Sequence, residues 1–187
     1  MSRDPGALMG EGSPAPIQVS GEPPAVLALH GFGGTPLEIA LVVEVARELG
    51  LRAVAPLLPG HGTHTRELVH TNWNDWLRAV NVTLDGLLAR PGSKAIVVGL
   101  SLGSLLAAQL AATRQNDVLG LGMLANATRL TYLSTALPLR IIEKLRLPDF
   151  GIPKVGADIR DPVARKTHLT YNLQRVRGAI EVMGAGA

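Results

Sequence analysis

Three short runs of almost uninterrupted apolar residues constrain this chain more than anything else in it: Ala25-Val-Leu-Ala-Leu-His30, Ala95-Ile-Val-Val-Gly99, and Val118 to Ala125. A strand exposed on one side alternates apolar and polar side chains, whereas a strand buried on both faces is apolar throughout. Runs this short, punctuated by glycines, read as buried strands. The segments between them have a helical period. Leu37, Ala40, Leu41, Glu44, Val45 and Glu48 are helically spaced up to Gly50, a natural stop. Thr35-Pro36-Leu37-Glu38 fits a capping box with proline in the first turn, so a helix is predicted over 36–49. Trp73, Trp76, Leu77, Val80, Leu84, Leu87 and Leu88 form a second apolar stripe, broken by Pro91-Gly92. An Ala-rich segment to about Thr113 suits a third helix, and Ile17–Val19 and Ala53-Val-Ala add short strands. Buried strands alternating with helices predict an α/β fold, a mostly parallel sheet covered on both faces.

The chain divides into a Gly-, Pro- and Ser-rich flexible leader (1–15), the α/β core (16–125) and a helical segment (126–187). In the last, Leu133, Leu137, Ile141 and Leu145 lie on one side of a broadly helical stretch. A Pro- and Asp-containing stretch follows, then a basic helix from about Val163 to Val182. With 187 residues, 47% apolar and 3% aromatic, the core must come from Leu, Val, Ile and Ala. Residues 1–125 carry 8 basic and 10 acidic side chains, and 126–187 carry 10 and 5. No aromatic residues interleave with the arginines, which argues against nucleic-acid binding. There is no cysteine, so thiolate chemistry is excluded. The first twenty residues lack a continuous apolar stretch, and no run reaches the roughly 18 apolar residues of a spanning helix. The expected location is cytoplasmic, with no stable membrane insertion; nothing in the pattern specifies an oligomeric state.

Gly99-Leu100-Ser101-Leu102-Gly103 matches G-x-S-x-G, preceded by a predicted strand and followed by a predicted helix. A nucleophile elbow requires that context: small residues let the chain turn tightly, and the serine hydroxyl projects from the strand end beside a helix N-terminus. On this motif alone, a Gly-Ser loop of an unrelated α/β protein stays open. His30-Gly31-Phe32-Gly33-Gly34 also follows a strand, and backbone amides in such a turn can face an oxyanion. A phosphate loop is the rival, but neither G-x-x-x-x-G-K-[ST] nor a full G-x-G-x-x-G is present. His61, His64 and His70 invite a metal reading, yet Glu67 is the only carboxylate beside them, and loop histidines suffice to explain them.

HGFGGTP (30–36), LPGHG (58–62), ELVHT (67–71) with Asp75-Trp76, and GLSLG (99–103) occur in one order. In that order and spacing the chain resembles the carboxylesterase and monoacylglycerol-lipase branch of the α/β-hydrolases, from about Val26 to Leu124 and more weakly to Val182. The resemblance implies an α/β-hydrolase fold with a helical lid over 126–182 and the last strands missing. It implies Ser101 as nucleophile and the backbone N–H groups of Phe32 and Leu102 as the oxyanion hole. It implies no cofactor and no metal, and a small-molecule carboxylic ester as substrate, of short or medium acyl chain or monoacylglycerol-like. The family's acid and histidine follow the lid and are expected beyond residue 187. Asp149, Asp158 and Asp161 precede His168 and formally supply the order Ser–Asp–His, but they fall in the lid-like stretch. A non-catalytic relic that binds a ligand or partner is the alternative from another class; an acyltransferase or serine peptidase would use the same nucleophile.

Overall fold

A computed structural model of the chain describes residues 8–9, 13–126, 141–142, 144–145, 148–153, 169–171 and 173–185. In chain order come β1 (Leu8–Met9), β2 (Ile17–Val19), β3 (Glu22–Leu29), a 3-10 turn (Pro36–Ile39) leading into α1 (Ala40–Glu48), and β4 (Leu51–Ala55). The short α2 (Thr65–Leu68), α3 (Trp73–Leu87), β5 (Ala95–Leu100), α4 (Leu102–Thr113) and β6 (Val118–Leu124) follow. After them lie β7 (Gly151–Pro153), β8 (Thr170–Tyr171), β9 (Leu173–Arg175) and a last helix, α5 (Val176–Ala185).

Five strands form the central sheet in the order β2-β4-β3-β5-β6. The pairs β3–β4, β3–β5 and β5–β6 are parallel, and β2 runs antiparallel to β4. The first apolar run behaves as its composition demands, whereas the third does not: β6 is the outermost described strand on its side and exposes Leu119, Leu121 and Leu124. In β3, Ala25, Leu27 and Leu29 enter one core with Trp76, Val80, Leu84, Leu102, Leu106 and Leu110 of α3 and α4. Their neighbours Val26 and Ala28 enter a second core with Val43 and Ala46 of α1. Successive strand residues point to opposite faces, so a strand feeding two cores has no polar position to spare. The strand order reverses between β3 and β5. In open α/β sheets the crevice beyond the carboxyl ends of such a strand pair is where ligands bind.

The second predicted helix is observed, and its start is set by Asn72. The Asn72 side chain accepts from the amides of Asn74 (2.9 Å) and Asp75 (3.3 Å), and Asp75 accepts from Asn72 N (3.1 Å). Asn72→Ala leaves first-turn donors without these partners. It is expected to cost about 1 kcal/mol, read as a lowered denaturation midpoint at unchanged slope.

Two expectations need correction. The predicted helix 36–49 starts as a 3-10 turn, and Thr35 makes no cap bond. The Glu38 carboxylate instead accepts from the amide of Gly31 (3.1 Å), so a tertiary partner replaces the local capping box. The predicted helix from Val163 to Val182 gives way to two short strands, Thr170–Tyr171 and Leu173–Arg175. β8 pairs with β1 and β9 with β7, and the helix begins only at Val176. Arg175 contributes to that outcome: its guanidinium binds Asp149 Oδ2 at 2.6 and 2.7 Å, fixing β9 against the segment that leads into β7. Of the lid-like stretch, Leu133, Leu137, Asp158, Asp161 and His168 lie outside the described residues; Ile141 is exposed.

Candidate functional site

Ser101 occupies the junction between β5 and α4, with φ 53° and ψ −114°. Among the described residues only Ser101 and Ala125 are non-glycine residues with positive φ. Such a conformation costs on the order of 1–3 kcal/mol and persists only where the surroundings enforce it. Here they do. Ser101 N donates to Leu124 O of the neighbouring strand (2.9 Å). Ser101 O accepts from Ser104 N (2.9 Å) and from the buried Ser104 hydroxyl (2.5 Å).

The two motif glycines are required by the same packing. A Cβ on Gly99 would overlap the backbone of Gly103, and a Cβ on Gly103 would overlap the carbonyl of Leu29 in β3. The first turn of α4 therefore lies directly on the end of the central strand. That approach sets the bend at Ser101 beside the loop that follows β3.

This loop, residues 30–35, is held from three sides. Gly34 N donates to Gly31 O (3.2 Å), Gly33 takes φ 74°, and Gly31 N is tied to Glu38. A side chain on Gly31 would begin 3.5 Å from Ser101 Cβ, so the loop runs beside the bend with space for about a methyl group between them. Phe32, the next residue, and Leu102, the first residue of α4, are the predicted amide donors. The structure sets the loop carrying one against the bend carrying the other.

His30 is fully buried behind the loop. Its Nε2 accepts from Leu58 N (3.0 Å), so the ring proton sits on Nδ1, which donates to Gly31 O (2.9 Å). Burial, and next the neighbouring His61, push its pKa down to about 3. His61 lies edge-on to His30 (5.0 Å between ring centres), to Phe32 (5.8 Å) and to Trp76 (6.0 Å). Its Nδ1 donates to Pro59 O (3.0 Å), which also accepts from Trp76 Nε1 (3.1 Å). Its Nε2 is buried without a hydrogen-bond partner among the described residues. Burial pushes His61 down to about 4, against the hydrogen bonds to Pro59 and Leu58. Both rings are neutral at physiological pH and serve as packing for the two loops. His64 does something different: its Nδ1 accepts from Arg66 N and caps α2.

The C-terminal elements reach the same loops, which sequence reasoning missed because a helix was expected there. Tyr171 is buried, and its hydroxyl accepts from Thr63 N (3.1 Å). Gly178 of α5 abuts the Phe32 ring, and Glu181 accepts from Trp73 N (3.3 Å). Asp149 is engaged on both oxygens, by Arg175 and by the amide of Arg177 (2.9 Å). Both of its oxygens are thus committed to fixing β9 and the start of α5.

A sharp strand–serine–helix bend at the switch point of a parallel sheet, beside a glycine loop, invites comparison with known proteins. The alpha/beta hydrolase family model matches residues 26–182. The chain belongs to the α/β-hydrolase family. It is 28% identical over 147 residues to a thermostable monoacylglycerol lipase from Bacillus sp. (strain H-257), an alignment covering 79% of this chain and 56% of that protein. It is 34% identical over 101 residues to a carboxylesterase from Bacillus subtilis (strain 168), covering 54% of this chain and 41% of that one. The chain thus spans about half the length of these curated relatives. Among solved structures, a metagenome-derived lipolytic enzyme superposes with a TM-score of 0.82 at 23% identity, over 94% of this chain and 69% of that one. The monoacylglycerol lipase of Paleococcus ferrophilus gives 0.69 at 20% identity, over 91% and 69%. These structural likenesses establish the fold. No helix among the described residues is long and apolar enough to cross a membrane.

Proposed function

We propose that this α/β-hydrolase chain carries the nucleophile and oxyanion hole of a serine hydrolase acting on carboxylic esters. The observation that carries the reading is the strained backbone of Ser101, held at the end of β5 where the first turn of α4 packs on the exit of β3. Strained backbone of this kind clusters at active sites, and at Ser101 two flanking glycines are required to keep it. In this reading Ser101 Oγ attacks the acyl carbonyl and gives up its proton to a base. The amides of Phe32 and Leu102 receive the developing oxyanion, the latter aided by the N-terminus of α4. The alcohol leaves as its oxygen regains a proton, and water releases the acid from the acyl-enzyme. His30 and His61 are buried, neutral and bonded to loop backbone, so neither is that base. The base and its acid partner lie, in this proposal, outside the described residues; the chain spans about half the length of its curated relatives. The likeness to a monoacylglycerol lipase and a carboxylesterase supports carboxylic esters, monoacylglycerols among them, as the substrate class.

A fluorophosphonate probe tests this on the full-length gene product. The label is expected on the peptide containing Ser101, with Ser101→Ala abolishing it. An unlabelled folded protein, or a label on another residue, overturns the proposal.

A further inference from the structure

The geometry points to Gly178 as a positioning residue for the oxyanion loop: its missing side chain seats the Phe32 ring, and α5 thereby fixes the loop facing Ser101. This rests on the ester-hydrolase reading above. A Cβ on Gly178 would overlap Cζ of Phe32 and come within 2.6 Å of Cε2. The ring is partly buried, and two aromatic neighbours limit the directions in which it can retreat. It is set edge-on against His61 (5.8 Å between ring centres) and Trp76 (5.9 Å). Trp76 is fully buried, and His61 is 3% exposed. Phe32 is thus confined between an aromatic shelf under the loop and the bare backbone of a helix. Its ring and its amide share one residue, so ring displacement that χ1 and χ2 do not absorb is passed to the peptide proposed to bind the oxyanion.

Two neighbouring contacts make the coupling specific to this loop. The Tyr171 ring lies 3.8 Å from where a Gly33 side chain would begin, and its hydroxyl holds Thr63 of the opposing loop. Val182, one turn beyond Gly178, packs against the core of α3 and α4, which anchors α5. The helix is therefore a fixed backstop, and a new methyl group at 178 is relieved by moving Phe32.

The test is a double-mutant cycle of Gly178→Ala and Phe32→Leu in the full-length protein, read by the rate of fluorophosphonate labelling at Ser101. Gly178→Ala is expected to slow labelling by about ten- to hundredfold when Phe32 is present, and by less than about twofold in the Phe32→Leu background. Alanine is a better helix former than glycine, so a purely helical role for this position predicts no such loss. Amide 15N–1H shifts of Gly31, Phe32 and Gly33 give a second readout that needs no chemistry. They move in Gly178→Ala, and the same substitution leaves Gly31 and Gly33 in place in the Phe32→Leu background. If the wild-type serine does not label, the hydrolase reading fails while these shifts still decide the coupling. Failure of Gly178→Ala to fold beside Phe32, with folding regained once Phe32→Leu is added, supports it. Equal effects in both backgrounds, or unmoved loop amides, overturn it.

Discussion

Gly103→Val is expected to yield no cooperatively folded protein at ambient temperature, while Gly86→Ala is tolerated and mildly stabilising. The two glycines lie in neighbouring helices and differ in what surrounds them. A side chain at Gly103 meets Leu29 O and C and His30 O, all backbone atoms of the most buried strand and its exit. Overpacking against side chains costs about 1–3 kcal/mol because rotamers adjust. Main chain in a sheet cannot adjust without breaking its ladder, so the cost here exceeds that range. A domain stable by about 5–15 kcal/mol does not absorb it. A Cβ at Gly86 meets nothing within 4 Å, and alanine in place of glycine inside a helix gains about 0.5–1 kcal/mol. Thermal melts by circular dichroism decide the matter. A Gly103→Val protein melting within a few degrees of wild type would remove the steric explanation of the elbow.

Lowering the pH from 6.5 to 5 is expected to remove on the order of 3 kcal/mol of stability through His30 and His61. Both have folded pKa values below the ordinary 6.5, about 3 and about 4, because burial disfavours the charged ring. The unfolded chain therefore binds more protons than the folded one between those values and 6.5. Stability is complete above the unfolded pKa and is lost as pH falls toward the folded values. Each histidine contributes a slope approaching about 1.4 kcal/mol per pH unit, and most carboxylates have yet to titrate at pH 5. Urea midpoints at half-unit steps measure it. A flat profile from pH 7 to 5 contradicts the burial of these rings, and His61→Gln should roughly halve the slope.

This acid response shows where local reading stops. HGFGG and LPGHG mark His30 and His61 as loop residues, and nothing local says that the two loops set their rings edge to face, 5.0 Å apart, in the interior. Glu38 is similar. Its place three residues after Thr35 favours a capping box by local rules, yet the carboxylate is taken by Gly31, seven residues back, because the loop brings that amide into reach. The helix expected through 170–175 failed for a related reason. Side-chain period cannot report that β1 and β7 supply pairing partners from distant parts of the chain.

What residue order settled unaided is what depends on neighbours in the chain. Apolar runs demanded strands, period 3.6 demanded amphipathic helices, and glycines around Ser101 demanded a tight turn between the two. Folding in three dimensions decided which groups meet across the chain: Glu38 with Gly31, Tyr171 with Thr63, Asp149 with Arg175, and the Phe32 ring with Gly178. The physical reason is the range of the forces. Backbone propensity and periodicity act within a few residues, whereas hydrogen-bond partners and packing neighbours are chosen only after the sheet has brought distant loops to one rim.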